Sequence, residues 1–225
     1  MAGTFEAPEV VQEEVDVLLI GGGMACCGTA YEIMRWAEAL KAEIGQELKI
    51  KLVDKAAMDR SGAVAQGLSA INTYIGDKQD PADYARMVSN DLMGITRDDL
   101  AYDLGRNVDD SVHLFEEWGL PIWKTDENGE RHDGAQGLPA LKDGGKPVRS
   151  GKWQIMINGE SYKWIVAEAA KKALGMDRIQ ERIFIVKLVN DKNDPNRIAG
   201  AVGFSTRDHK VYVYKAKAIL LAAGG

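Results

Sequence analysis

Two cysteines, adjacent at Cys26 and Cys27, are the only thiols in 225 residues. They make no disulfide framework. With no C-x-x-C anywhere, the chain cannot ligate an iron–sulfur cluster alone. Histidine is scarce as well. His113, His132 and His209 lack partners at metal-ligand spacing, so surface or packing roles are expected of them. Basic residues show no excess: 28 Lys and Arg stand against 34 Asp and Glu, a net charge of −6, which leaves no electrostatic footprint for nucleic acid. No apolar run approaches the ~18 residues of a membrane-spanning helix. The start, Met1-Ala2-Gly3-Thr4-Phe5-Glu6, has neither a basic flank nor an apolar stretch, so a secretory signal is not expected. Together these absences point to a soluble protein in a reducing, cytoplasmic setting.

Glycine, by contrast, is plentiful, and its placing is informative. Gly21-Gly22-Gly23 follows a short apolar stretch, Val15-Asp16-Val17-Leu18-Leu19-Ile20. A helical pattern then runs from about Met24 to Ile44. A second strand, Leu48 to Val53, ends on Asp54. Strand, bare glycine turn, helix, and strand ending in an acid form a phosphate cradle with a ribose clamp. The glycines let backbone approach a pyrophosphate, and the helix start offers N–H groups and a positive dipole end. Asp54 can accept from ribose hydroxyls. Two features depart from the usual fingerprint. Cys26 stands where a third glycine is usual, with Gly28 two residues on. The spacing to Asp54 also exceeds the usual ~20 residues because the helix is long.

Residues 1–14 read as a polar, acidic arm, and 15–225 as one domain. Residues 55–80 read as loop with short elements. Asp80-Pro81 predicts a helix start and Gly94 its stop. Thr96-Arg97-Asp98-Asp99 resembles a capping box opening one helix that runs to Gly119. Lys124 to Ser150, with Pro139 and Pro147, reads as a long loop, followed by a short strand over Lys152–Ile157. A helix over Glu160–Leu174 stops at Gly175. Strands over Ile179–Asn190, Ile198–Ser205 and Val211–Lys215 form a β-meander. It leads to a separate buried strand, Ala218–Ala222, ending in Ala222-Ala223-Gly224-Gly225. The fold class is therefore α/β: a Rossmann-like domain with a parallel sheet plus an antiparallel meander. The ends of the first and last strands should lie side by side, so that two glycine turns face one pyrophosphate. A chain closing on Gly-Gly in its own crevice suggests a truncated protein.

These turns, with Arg60-Ser61-Gly62-Ala63-Val64-Ala65-Gln66-Gly67-Leu68-Ser69-Ala70-Ile71-Asn72, resemble the flavoproteins of the fumarate reductase and succinate dehydrogenase class. Within that class, Lys146 to Tyr162 and Asp109 to Pro121 resemble the α subunits of dissimilatory adenylylsulfate reductases. The resemblance covers essentially residues 15–225 of a far longer family subunit. It implies FAD as cofactor and an iron–sulfur β subunit as electron-transfer partner. The implied reaction is two-electron reduction of adenosine 5′-phosphosulfate to AMP and sulfite, or its reverse, at flavin N5. In the dicarboxylate relatives a histidine at the place of Gly62 bonds covalently to flavin; glycine here implies non-covalent FAD. The family's main substrate-binding arginines and histidine fall beyond Gly225, so this stretch alone should not turn over.

Carried onto this sequence, the resemblance puts Gly21, Gly23, Met24, Ala223 and Gly224 at the pyrophosphate. Asp54 and Lys55 fall at the ribose, and Val186 at the adenine edge. Ser61, Gly62, Ala65, Gln66, Gly67 and Ser69 fall along the flavin, with Asn72 near its reactive face. Two other functions stay open: a fumarate-, succinate- or aspartate-type flavin oxidoreductase, and a non-catalytic nucleotide-binding scaffold. Lys146 and Arg149 read as solvated charges, and Trp118, Trp153 and Trp164 as packing residues.

Overall fold

The computed structural model describes residues 6–75, 80–126, 128–132 and 140–224. Residues 1–5 of the expected arm, Pro139 and Gly225 lie outside them. In chain order the elements are β1 (Glu9–Ile20), α1 (Met24–Ile44), β2 (Ile50–Asp54), β3 (Ala70–Asn72), α2 (Pro81–Asp91), α3 (Asp98–Gly105), α4 (Val108–Glu117), β4 (Lys124–Thr125), β5 (Arg131–His132), β6 (Lys146–Pro147), β7 (Arg149–Gly151), β8 (Gln154–Met156), α5 (Gly159–Leu174), β9 (Ile179–Glu181), β10 (Ile183–Asn190), β11 (Ile198–Ser205) and β12 (Lys210–Leu221). The stretch read as one domain forms two compact units, one of Met1–Gln66 with Val166–Gly225 and one of Gly67–Ile165. No helix among the described residues is long and apolar enough to cross a membrane.

The first unit holds a six-stranded sheet in the order β10-β11-β12-β1-β2-β9. β12, β1, β2 and β9 run parallel, and β10 and β11 return antiparallel onto β12. Leu18, Leu19 and Ile20 are buried, as a central parallel strand requires. Val15, Leu18, Ile20 and Val53 pack with Ile183, Ala201, Tyr214 and Ala216 from the meander. The buried Tyr214 hydroxyl donates to Gln180, whose amide donates to Glu13, so its polar atom is satisfied.

The expected arm is strand from Glu9 onward: residues 9–14 pair with Lys210–Lys215 of β12. The strand expected over Ile179–Asn190 is two. Arg182, at φ 66°, breaks it, sending β9 beside β2 and β10 beside β11. The two strands expected after residue 210 are one. Lys215 and Lys217 interrupt the apolar run, but alternation carries both side chains to solvent without ending the strand.

The second unit contains α2 to α4, β3 to β8 and the first part of α5. Asp80 caps α2 by accepting from the Asp83 amide at 2.8 Å, as the sequence predicts. The single helix expected after Thr96 is two, broken at Arg106–Asn107. Its capping box does not form; Arg97 occupies the N-cap position and pairs with Asp99 instead. Gly105 packs against Pro81 and Tyr84 of α2, where a Cβ would meet atoms at 3.2 Å. Tyr74, Tyr84 and Trp153 form an edge-to-face aromatic cluster, and the Tyr74 hydroxyl donates to the Gly105 carbonyl at 2.7 Å.

Asp16 staples three strands of the first unit. Its carboxylate accepts from the Lys49 amide at 2.7 Å, beside β2, and meets Lys217 Nζ of β12 at 2.6 Å. The Lys217 ammonium first, then the Lys49 amide, hold its carboxyl below the ordinary value of 3.8. The folded state therefore prefers the charged form. Its contribution is fully present above the unfolded value and is lost as pH falls through the lower folded one. Urea denaturation should show stability falling more steeply below about pH 4 in the parent than in Asp16→Asn. Parallel pH profiles would refute the staple.

Candidate functional site

The register of β1 on β12 creates the site. Ile20 lies opposite Leu221, and the Ala222 amide donates to the Ile20 carbonyl at 2.9 Å. The turns Gly21–Gly23 and Ala222–Gly224 therefore leave the sheet side by side. Gly21 has φ 116°, and a Cβ there would lie 2.3 Å from the Ala222 carbonyl oxygen. Glycine alone meets both demands. The Gly21 amide donates to the Val53 carbonyl at 2.8 Å, tying the turn to β2.

Each glycine of the triplet faces a different segment. A Cβ on Gly22 would fall 2.6 Å from Asp54 Oδ2. Gly23 faces the loop after β2, where Gly62, at φ 84°, would place a Cβ 2.9 Å from the Gly23 Cα. That loop is anchored. Met58 is buried, its amide donates to Glu181 at 2.7 Å, and Asp59 pairs with Lys171.

These segments enclose a cleft of about 590 Å³ within the first unit. Ile20–Ala25, Val53–Lys55, Ser61–Val64, Gln66, Ile183–Ile185 and Ala222–Gly224 line it. α1 starts at its floor with Gly23 as N-cap, no side-chain cap and no acidic residue in the first turn. The positive end of a 21-residue helix thus meets the cleft without a competing carboxylate. Asp54 is 3% exposed, and its Oδ2 has no hydrogen-bond partner among the described residues. A buried carboxylate oxygen calls for a donor, and a ligand hydroxyl supplies one. Bare glycine backbone, a helix start and an acceptor-only carboxylate suit a ligand with phosphates and ribose. The residues present fit a dinucleotide.

The expected residues divide into three groups. Gly21, Gly23, Met24, Asp54, Lys55, Ser61, Gly62, Gln66, Ala223 and Gly224 all line the cleft. Ala65 and Val186 belong to the same unit but not to the lining; exposed Val186 follows the lining residues Ile183–Ile185. Gly67, Ser69 and Asn72 belong to the second unit. There the Gly67 carbonyl packs against Gly159, the Ser69 carbonyl accepts from the Ile157 amide at 3.0 Å, and Asn72 pairs with Gln154 across β3 and β8. Sequence reasoning missed Gly22 and Phe184. Gly22 fills the variable position of the fingerprint, and Phe184 follows a strand break that composition does not signal. Phe184 lies at the rim with Lys55 Nζ 6.0 Å from its ring centre.

The remaining candidates have ordinary roles. Cys26 and Cys27 are buried in α1 and form no disulfide. His113 lies 3.6 Å from Asp109 and 3.7 Å from Glu116, and among the described residues no acid, histidine and cysteine grouping could hold a metal. Arg149 donates to the Lys152 carbonyl at 3.0 Å, and Trp118 packs on Phe115. The close approach at Gly21 has a control in Gly28, which is helical with open space around a Cβ. Gly21→Ala should destabilise by about 1–3 kcal/mol through overpacking. Gly28→Ala should stabilise by about 0.5–1 kcal/mol. Chemical denaturation of both variants checks the contrast.

Residues 16–225 match the FAD binding domain family. The adenylylsulfate reductase subunit alpha of Megalodesulfovibrio gigas is 64% identical over 221 residues, which is 97% of this chain and 32% of that protein. The adenylylsulfate reductase structure from Archaeoglobus fulgidus has a TM-score of 0.81 at 52% identity, over 97% of this chain and 31% of that one. The same figures hold for an adenosine-5-phosphosulfate reductase solved in complex with sulfite as a covalent adduct. The chain thus spans about a third of the length of these relatives. The E. coli quinol fumarate reductase, at 15% identity and a TM-score of 0.64 over 96% of this chain and 33% of that one, shares the fold. With all but its first 15 residues matched, the chain belongs to the FAD binding domain family.

Proposed function

We propose that this chain is the FAD-binding part of an adenylylsulfate reductase α subunit. The proposed reaction is two-electron reduction of adenosine 5′-phosphosulfate to AMP and sulfite, or its reverse. The observation that carries it is 64% identity to such a subunit over nearly the whole chain, joined to a cleft built for a dinucleotide. Bound FAD supplies a two-electron redox centre. Everything else asked of this chain is binding, orientation and exclusion of water.

The glycine backbone at Gly21 and Gly23, the start of α1 at Met24, and Ala223 with Gly224 hold the pyrophosphate. Asp54 accepts from the adenosine ribose, with Lys55 beside it. Ile183, Phe184 and Ile185 give the cleft an apolar wall on the strand that Val186 continues, where the resemblance puts the adenine edge. Ser61, Gly62 and Gln66 face the flavin half. Gly62 offers no side chain for a covalent link, which supports non-covalent attachment. The resemblance alone supports flavin roles for Ala65, Gly67 and Ser69, and the place of Asn72 near the reactive face. An iron–sulfur β subunit delivers the electrons, consistent with a chain whose only cysteines are two buried neighbours. Reduced, buried thiols also suit a cytoplasmic location.

The full-length chain, reconstituted with FAD and an electron donor, should form AMP and sulfite from adenosine 5′-phosphosulfate and leave fumarate unreduced. Fumarate turnover without AMP release would replace this reading with the dicarboxylate one. A full-length protein that stays colourless after reconstitution would favour a scaffold. Asp54→Ala should weaken FAD binding by about 1.5–3 kcal/mol, the range for a hydrogen bond to a charged group. Fluorescence titration of the apoprotein measures it, and equal affinity removes the ribose role.

A further inference from the structure

We propose that Gly22 is a positioning residue for Asp54, and that its missing side chain sets the strength of the ribose contact. The inference rests on the reading of the cleft as an FAD site. Gly22 occupies the variable position of the glycine turn. Its φ lies outside the left-handed region, unlike that of Gly21, so backbone conformation does not require glycine there. The neighbour does. A Cβ on Gly22 would lie 2.6 Å from Asp54 Oδ2, 2.7 Å from Cγ and 3.0 Å from Cβ. The carboxylate occupies the volume that a methyl group at residue 22 would need.

The turn has little freedom to retreat. On one side the Cys27 thiol donates to the Gly22 carbonyl at 3.5 Å, from a side chain buried in α1. On the other, the Gly21 amide holds the Val53 carbonyl at 2.8 Å, and the Gly21 Cα is wedged against Ala222. Added bulk at residue 22 is therefore relieved by rotating Asp54. Its short side chain can do so about χ1, but rotation carries the carboxylate away from its place in the lining of the cleft. Oδ2, the oxygen set against Gly22, is buried and has no hydrogen-bond partner among the described residues. Gly22 thus acts on the ligand through Asp54, by leaving the carboxylate one position.

A double-mutant cycle on the full-length apoprotein tests this, with FAD affinity read by fluorescence titration. Asp54→Ala and Gly22→Ala should each weaken FAD binding roughly ten- to a hundredfold, the worth of one charge-assisted hydrogen bond. The double variant should bind about as well as Asp54→Ala alone, because the group that Gly22 positions is gone. Losses that multiply in the double variant overturn the role of Gly22 and leave the ribose contact standing. So does a Gly22→Ala variant with unchanged affinity. An Asp54→Ala variant with unchanged affinity overturns the ribose reading and this inference with it. If Gly22→Ala alone does not fold, the double variant should, since removing the carboxylate removes the two closest contacts, at 2.6 and 2.7 Å, and leaves only the approach to Cβ at 3.0 Å. An insoluble double variant overturns the proposal.

Discussion

The parallel pairing of β1 with β12 is the constraint on which the cleft depends. It joins residues about two hundred positions apart and runs from Glu9↔Lys210 to Ile20↔Leu221. Parallel strands point their C-terminal ends the same way, so the chain leaves the sheet twice at one edge. The hydrophobic pattern fixes the register. A slip by one residue would turn Tyr214 and Ala216 away from the core and bring Lys215 and Lys217 into it. The same slip would part Gly21 from Ala222. Burial in the sheet and the geometry of the cleft are therefore set by one pairing.

Much of this arrangement was legible in the residues. The limits of α1, Met24 and Ile44, follow from the glycine turn before it and from Gly45, which caps it in the left-handed region. Asp80-Pro81 marks its helix start because cap and first position both carry local chemistry. The convergence of the two glycine turns could be read because a first and a last strand paired in parallel must end on the same side of the sheet. The misreadings arose where one residue's surroundings decide. Nothing local tells that Arg182 will adopt a left-handed φ and split a strand. Thr96 has cap chemistry, yet Arg97 pairs with the acid the box would have used. Leu100 and Leu104 recur at helical spacing with Val108 and Val112, yet the leucines are exposed and the valines buried. Periodicity does not separate an inward stripe from an outward one. The division into two units also escapes pattern reasoning, because one unit is assembled from both ends of the chain.

The glycine triplet shows why a fingerprint is a coarse guide to a particular site. Gly21 answers to φ and to the Ala222 carbonyl, Gly22 to the Asp54 carboxylate, and Gly23 to the backbone of Gly62. Three neighbours, from β12, β2 and the loop after it, impose three different exclusions. Where the fingerprint expects a third glycine the chain has Cys26, fully buried, while Gly28 nearby has open space where a side chain would go. The need for glycine here is set by the proximity of other atoms, backbone at Gly21 and Gly23 and a side chain at Gly22, and is absent where none comes close.

Asp54 brings binding and stability into opposition. A buried carboxylate oxygen without a donor costs a fold about 1–3 kcal/mol, or more for a charged group. The strand end holds it there regardless, because Leu52 and Val53 are fully buried in β2 and Gly22 leaves its carboxylate a place. On the proposed reading a ribose hydroxyl of FAD offsets that cost, so that binding would stabilise the fold at Asp54. An acid whose buried oxygen has no donor among the described residues is costly as architecture, and the proposed ligand gives its place at the end of β2 a reason.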